Sequence, residues 1–113
     1  EVYWQSKINL DLPFINSTVP EYKDLFHLKN RFFEIPACCG FLLTARNQEA
    51  LDIMDESMVG YYDDNLDSLL EETERHLKDK DLRHKKAKLA YECVMANHTY
   101  DHRFKKMFEI IDA

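Results

Sequence analysis

The sequence predicts an α/β fold, a three-stranded parallel sheet with flanking helices. Three observations carry that prediction. Short runs at 7–12, 41–44 and 58–62 have the length and residue types of strands, and segments of helical periodicity lie between and after them. The second run, Phe41-Leu42-Leu43, is continuously apolar, as in a parallel strand covered on both faces. At 113 residues the chain makes one domain with a modest core. With 45% hydrophobic and 32% charged residues it belongs with globular chains, not disordered ones.

The elements follow in order. Ile8, Leu10 and Leu12 alternate as one face of a first strand, and Pro13 ends it. Residues 16–21 carry Asn, Ser, Thr and Pro, the composition of a connection. A helix is then expected from near Glu21, with Leu25, Leu28, Phe32 and Ile35 close to one face; Pro36 reads as a kink or a restart just before Ala37. Gly40 suits the left-handed residue that ends a helix, and the second strand follows at once. Asn47 caps a short helix reaching Asp55, with Leu51 and Met54 turned inward.

After the third strand, Leu66, Leu69, Leu70 and Leu77 mark one face of a helix over 65–77, acidic at its start and basic at its end as the helix dipole favours. The next helix sets Ala87, Ala90, Tyr91, Val94, Met95 and His98 beneath a polar face of Arg83, His84, Lys85, Lys86 and Lys88. Thr99 then caps a last helix that packs Phe104, Met107, Phe108 and Ile111. The count is three strands, whereas a complete dinucleotide-binding unit uses about six.

Composition narrows the function. A formal charge of -6 argues against a nucleic-acid binder, which needs a basic face. Three cysteines, two of them adjacent at Cys38 and Cys39, form neither a disulfide framework nor a C-x-x-C zinc pair, so a reducing, cytoplasmic compartment is expected. No apolar stretch approaches the roughly 18 residues of a membrane span, and no signal pattern opens the chain. His98 and His102 stand four apart, the spacing of a helical metal pair. Thr99 breaks the helix between them and no third ligand is evident, so no metal is expected.

The most informative segment runs from Leu28 to Thr44. Its pattern K-x-R-x-F-E-I-P-A-C-x-G-F-L-L-T resembles the donor-site segment of group 1 glycosyltransferases of the GT-B fold, in the branch that includes the spore-maturation CgeB-like proteins. The resemblance continues through Gly60-Tyr-Tyr-Asp63, Asp81-Leu-Arg83 and the closing His98-Thr-Tyr-Asp-His-Arg103, in order, over about residues 7–111. It implies that residues 1–113 are the second half of a Rossmann-like GT-B C-terminal domain, with 98–113 as its terminal helix and the N-terminal acceptor domain missing. The first strand would then lack a neighbour, and its bare edge would invite a second copy to pair.

By the same resemblance, Glu34 accepts hydrogen bonds from the ribose hydroxyls of a nucleotide-sugar donor, a task that suits a carboxylate facing two vicinal hydroxyls. Lys29 and Arg31 neutralise the departing diphosphate, Arg31 as a two-pronged clamp and Lys29 as a point charge, with backbone N–H groups near Gly40 adding anion contacts. Without the resemblance, Glu34 reads first as an acid on the exposed side of an amphipathic helix, and Lys29 and Arg31 as solvated cations balancing Glu34 and Asp24. The first acid of the family's E-x7-E motif is absent: Phe26 stands eight positions before Glu34. The resemblance thus implies a glycosyltransferase, inactive as this part alone and without metal or cofactor; the alternative is a non-enzymatic structural or interaction protein of spore-envelope type that keeps the fold.

Overall fold

Leu42–Ala45 forms β2, the centre of a parallel sheet, with β1 (Asn9–Asp11) on one side and β3 (Gly60–Tyr62) on the other. The computed structural model describes residues 2–12 and 28–113. The register pairs Asp11 with Thr44 and Ala45 with Tyr62, so all three strands end along one rim. Around the sheet lie α1 (Val2–Gln5), α2 (Arg31–Ala37), α3 (Gln48–Ile53), α4 (Leu66–Lys78), α5 (Lys80–Asn97) and α6 (Tyr100–Asp112). The expected fold class is found: an α/β layer structure of Rossmann-like kind, a three-stranded parallel sheet with flanking helices.

Strand residues alternate between faces. Leu42 and Tyr61 share one face with Phe32 and Ile35 of α2, Ala50 of α3, and Ala90 and Val94 of α5. Leu43, Ala45 and Tyr62 look the other way, where Ala87 of α5 and Leu69 of α4 meet them. Helix α5 therefore contributes to both layers and ties them together. Side-chain caps start the flanking helices: Asn47 accepts from Ala50 N at 2.9 Å and Asn65 from Ser68 N at 2.7 Å.

Several packing expectations are corrected. In β1 the buried residues are Asn9 and Asp11, while Leu10 and Leu12 are 46% and 50% exposed. A polar clamp sets this phase, because Asn9 Nδ2 donates to Tyr3 O at 2.8 Å and to Phe41 O at 3.1 Å, and a slip of one residue would turn it outward. In α4, Leu66, Leu70 and Leu77 are exposed, and only Leu69 of the leucine set turns toward the sheet. The phase of α4 is fixed at its start, where Ser68 Oγ also accepts from Asp63 N at 2.8 Å. Leu69 and His76, seven apart, then share the inner row.

In α5, Arg83 and Lys86 are buried, not solvent-facing. Arg83 Nη1 donates to the carbonyls of His76 at 2.6 Å and Leu77 at 2.9 Å, closing the C-terminal turn of α4. Tyr91 and Met95 are exposed, and α6 buries no residue at all, so the stripe Phe104, Met107, Phe108 and Ile111 stands free of the described core. The expected helix start near Glu21 lies outside the described residues; Leu28 and Lys29 are not helical, and α2 begins at Arg31. Pro36 causes no restart, because it occupies the last turn of α2, where its missing N–H frees a single carbonyl.

The glycine expectation is corrected too. Cys39, not Gly40, takes the left-handed conformation, at φ 60°. Gly40 is required for space, since a Cβ there would come within 2.9 Å of Tyr3 O and 3.0 Å of Asn9 Nδ2.

His76 is fully buried, with its ring stacked on Phe41 at 4.8 Å. Its Nδ1 lies 2.6 Å from Glu72 O and so carries the proton, leaving Nε2 to accept from Lys86 Nζ at 3.2 Å. Burial holds its pKa below the ordinary value, with the Glu72 carbonyl opposing and the Lys86 charge assisting. The unfolded chain protonates this ring near about pH 6.5 and the folded chain only at lower pH. Stability from this group is therefore complete above that value and lost as pH falls below it. Urea midpoints are expected to decline from about pH 6.5 downward, and His76→Gln, which keeps a donor and an acceptor but cannot titrate, to flatten much of that decline. An unchanged slope would put the effect elsewhere, His98 being the next group held low by burial.

Candidate functional site

Strand β1 and the first turn of α2 meet at the C-terminal rim of the sheet, the end where open parallel sheets receive ligands. Two of the expected residues join them. Lys29 Nζ donates to Leu12 O at 2.6 Å, and Arg31 Nε lies 3.6 Å from Asp11 Oδ1. Arg31 is 48% exposed and Asp11 only 1%, so the guanidinium bridges a buried carboxylate and solvent. Glu34, one turn along α2, is exposed and borders a hollow of about 320 Å³ together with Phe33 of the same helix and His98, Tyr100 and Arg103. The structure thus brings Lys29 and Arg31 to the rim and sets Glu34 beside them on the adjoining hollow.

Gly40 lies elsewhere. It precedes β2, at the opposite end of the sheet from the rim, and its N–H donates to Ile35 O at 2.9 Å. The N–H groups of Cys38 and Cys39 are likewise spent on Glu34 O, Ile35 O and Pro36 O. These amides close the helix, so the expected anion contact of this turn is corrected.

The far wall of the hollow is the junction of α5 and α6. Thr99 forms a capping box with His102: the Thr99 hydroxyl donates to His102 Nδ1 at 2.6 Å, and Thr99 N lies 3.2 Å from the same nitrogen. Arg103 donates to His98 Nδ1 at 2.9 Å and to Asn97 O at 3.3 Å, while its guanidinium lies 5.6 Å from the Phe33 ring centre. The closing H-T-Y-D-H-R segment therefore builds a wall by capping and stacking. No group of three or more His, Cys, Asp or Glu residues suited to a metal occurs among the described residues.

Sequence reasoning missed Asp11, and it read Tyr62 as a strand-ending residue packed in the core. Asp11 Oδ1 and Tyr62 Oη are buried without a hydrogen-bond partner among the described residues, and each belongs to the terminal residue of its strand. Burial raises the Tyr62 pKa, and the negative charge of Asp11 adds to that. The available signal was an aspartate between Leu10 and Leu12 in a strand otherwise read as apolar on that stretch.

Residues 1–109 match the model of a family described as Glycosyl transferase-like. The chain belongs to that glycosyl transferase-like family. No curated protein and no solved structure matches it. In this glycosyl transferase-like chain the match takes in the rim, α2 and the α5–α6 junction, so every residue singled out above lies within the family's span. No helix of the described residues is long and apolar enough to cross a membrane.

Proposed function

We propose that this chain is part of the donor-binding domain of a GT-B glycosyltransferase, of CgeB-like type, that moves a sugar from a nucleotide-diphosphate sugar to an acceptor held by another domain. The family match over residues 1–109 carries the reading. The position of three side chains supports it. Arg31, already half in solvent, meets Asp11 through Nε, and its other N–H donors have no partner among the described residues. Lys29 adds charge on the same rim, and Glu34 borders the hollow, its carboxylate without a partner among the described residues and suited to ribose hydroxyls. In this reading the protein supplies electrostatic stabilisation of a departing diphosphate, and Gly40 acts only indirectly, by letting α1, β1 and β2 close under the site.

The test is calorimetric titration of the intact protein with a panel of nucleoside diphosphates. One of them should bind saturably, and Glu34→Gln should weaken it about 10- to 100-fold, the range for one lost hydrogen bond to a charged acceptor. Binding unaffected by Glu34→Gln would remove α2 from the site. If no diphosphate binds, the non-enzymatic reading stands instead.

A further inference from the structure

On the outer side of β3, across the sheet from Asp11 and Arg31, a cavity of about 370 Å³ opens between Arg46 at the end of β2, the loop after α3, helix α4 and the first turns of α5. Its charges do not balance. Arg46 is held by Glu56 and by Asp63, the latter at 3.0 Å, and Arg75 faces Glu72 at 3.4 Å. Those contacts engage both acids that line the cavity, Glu56 and Glu72. Lys85 and Lys86 remain, with no carboxylate within 4.0 Å of either among the described residues. Lys86 is the telling one: it is 6% exposed, and its single hydrogen bond among the described residues runs to His76 Nε2, leaving two ammonium protons unused in a cavity wall.

A buried ammonium with unused donors and no carboxylate in contact among the described residues, Glu72 and Glu56 acting on it only from a distance, is costly, and a bound anion is an ordinary remedy. We infer that this cavity binds a phosphate-type dianion, seated on Lys86, with Lys85 and Arg75 at its mouth. The two unmatched lysines supply the charge that a dianion needs. The space exceeds a bare ion, since at about 30 Å³ per water it would hold roughly a dozen waters, so a small organic phosphate monoester fits as well as free phosphate. Burial, helped by the nearby Arg75 charge, already pushes the Lys86 ammonium below its usual range, which is the effect that an anion in the cavity would reverse. His76 positions the amine, because its protonated Nδ1 is committed to Glu72 O and its Nε2 can only accept.

The experiment titrates the whole chain with inorganic phosphate in one arm and ribose 5-phosphate in the other, followed by calorimetry and by the thermal midpoint. Saturable binding in either arm, with a rise in midpoint, is expected. Tighter binding of the ester would show that the rest of the cavity is used, and equal binding that the free anion is the ligand. Lys86→Met is expected to weaken binding at least tenfold. As that variant alters a buried position, exposed Arg75→Ala serves as a second probe and should weaken binding several-fold with the fold intact. Lys105→Ala, on exposed α6 and outside the cavity lining, should leave phosphate binding unchanged. No saturable binding in either arm, or binding indifferent to both Lys86→Met and Arg75→Ala, would overturn the inference, as would loss of binding in Lys105→Ala alone.

Discussion

Replacing Arg31 by methionine is expected to lower folding stability by about 2–3 kcal/mol, read as a shift of the urea midpoint at neutral pH. The physical cause is Asp11. Its carboxylate is buried, its Oδ1 makes no hydrogen bond among the described residues, and the Arg31 guanidinium is its ion-pair partner at 3.6 Å. Removing one member of a buried pair leaves an uncompensated charge and typically costs about 3–5 kcal/mol. Arg31 is half exposed, so water relieves part of that cost and the lower figure applies. The second half of the prediction is the rescue. Asp11→Asn in the Arg31→Met background should recover most of the loss, because the charge that needed a partner is gone. Strictly additive effects would show that the pair is incidental. The double variant also separates two roles, since restored stability without restored diphosphate binding would assign Arg31 to ligand as well as to fold.

The second large effect lies in the core. Phe32→Ala is expected to cost about 3–5 kcal/mol, the usual range for emptying a buried aromatic position. Phe32 is 1% exposed and packs among Ile35, Leu42 and the inner face of α5. Phe104→Ala is the control. At 53% exposure it should change stability by no more than about 0.5 kcal/mol. Comparable losses for the two would mean that α6 is packed in solution, contrary to the structure.

That pair of phenylalanines also shows what could be read from the sequence. The strand runs, the caps at Asn47 and Thr99, and the parallel sheet all follow from local rules, and local rules suffice because each depends on a few neighbouring residues. Which face of a helix turns inward is a tertiary matter. Apolar periodicity pointed to Leu66, Leu70 and Leu77 in α4, whereas the connection from β3 set the phase and brought His76 inside. The same holds for β1, where the hydrogen bonds of one asparagine outrank an alternation of Ile and Leu. At the rim, Lys29, Arg31 and Glu34 were visible because a motif names them. Asp11 was not, because a buried polar atom is recognisable only once its surroundings exist. Lys86 escaped for a related reason: among five polar residues in a short stretch, nothing local marks the two, Arg83 and Lys86, that fold inward.

Helix α6 has a mechanical consequence. It is 13 residues long, about 20 Å from end to end, and among the described residues only its first turn is anchored, by the Thr99–His102 box and the contacts of Arg103. Such a rod works as a lever arm: a tilt of about 10° at the anchored end carries the tip through roughly 3 Å. A change of a few tenths of an ångström where His98, Phe33 and Arg103 press together would thus be magnified at the far end, more than a dozen ångströms from where it arose.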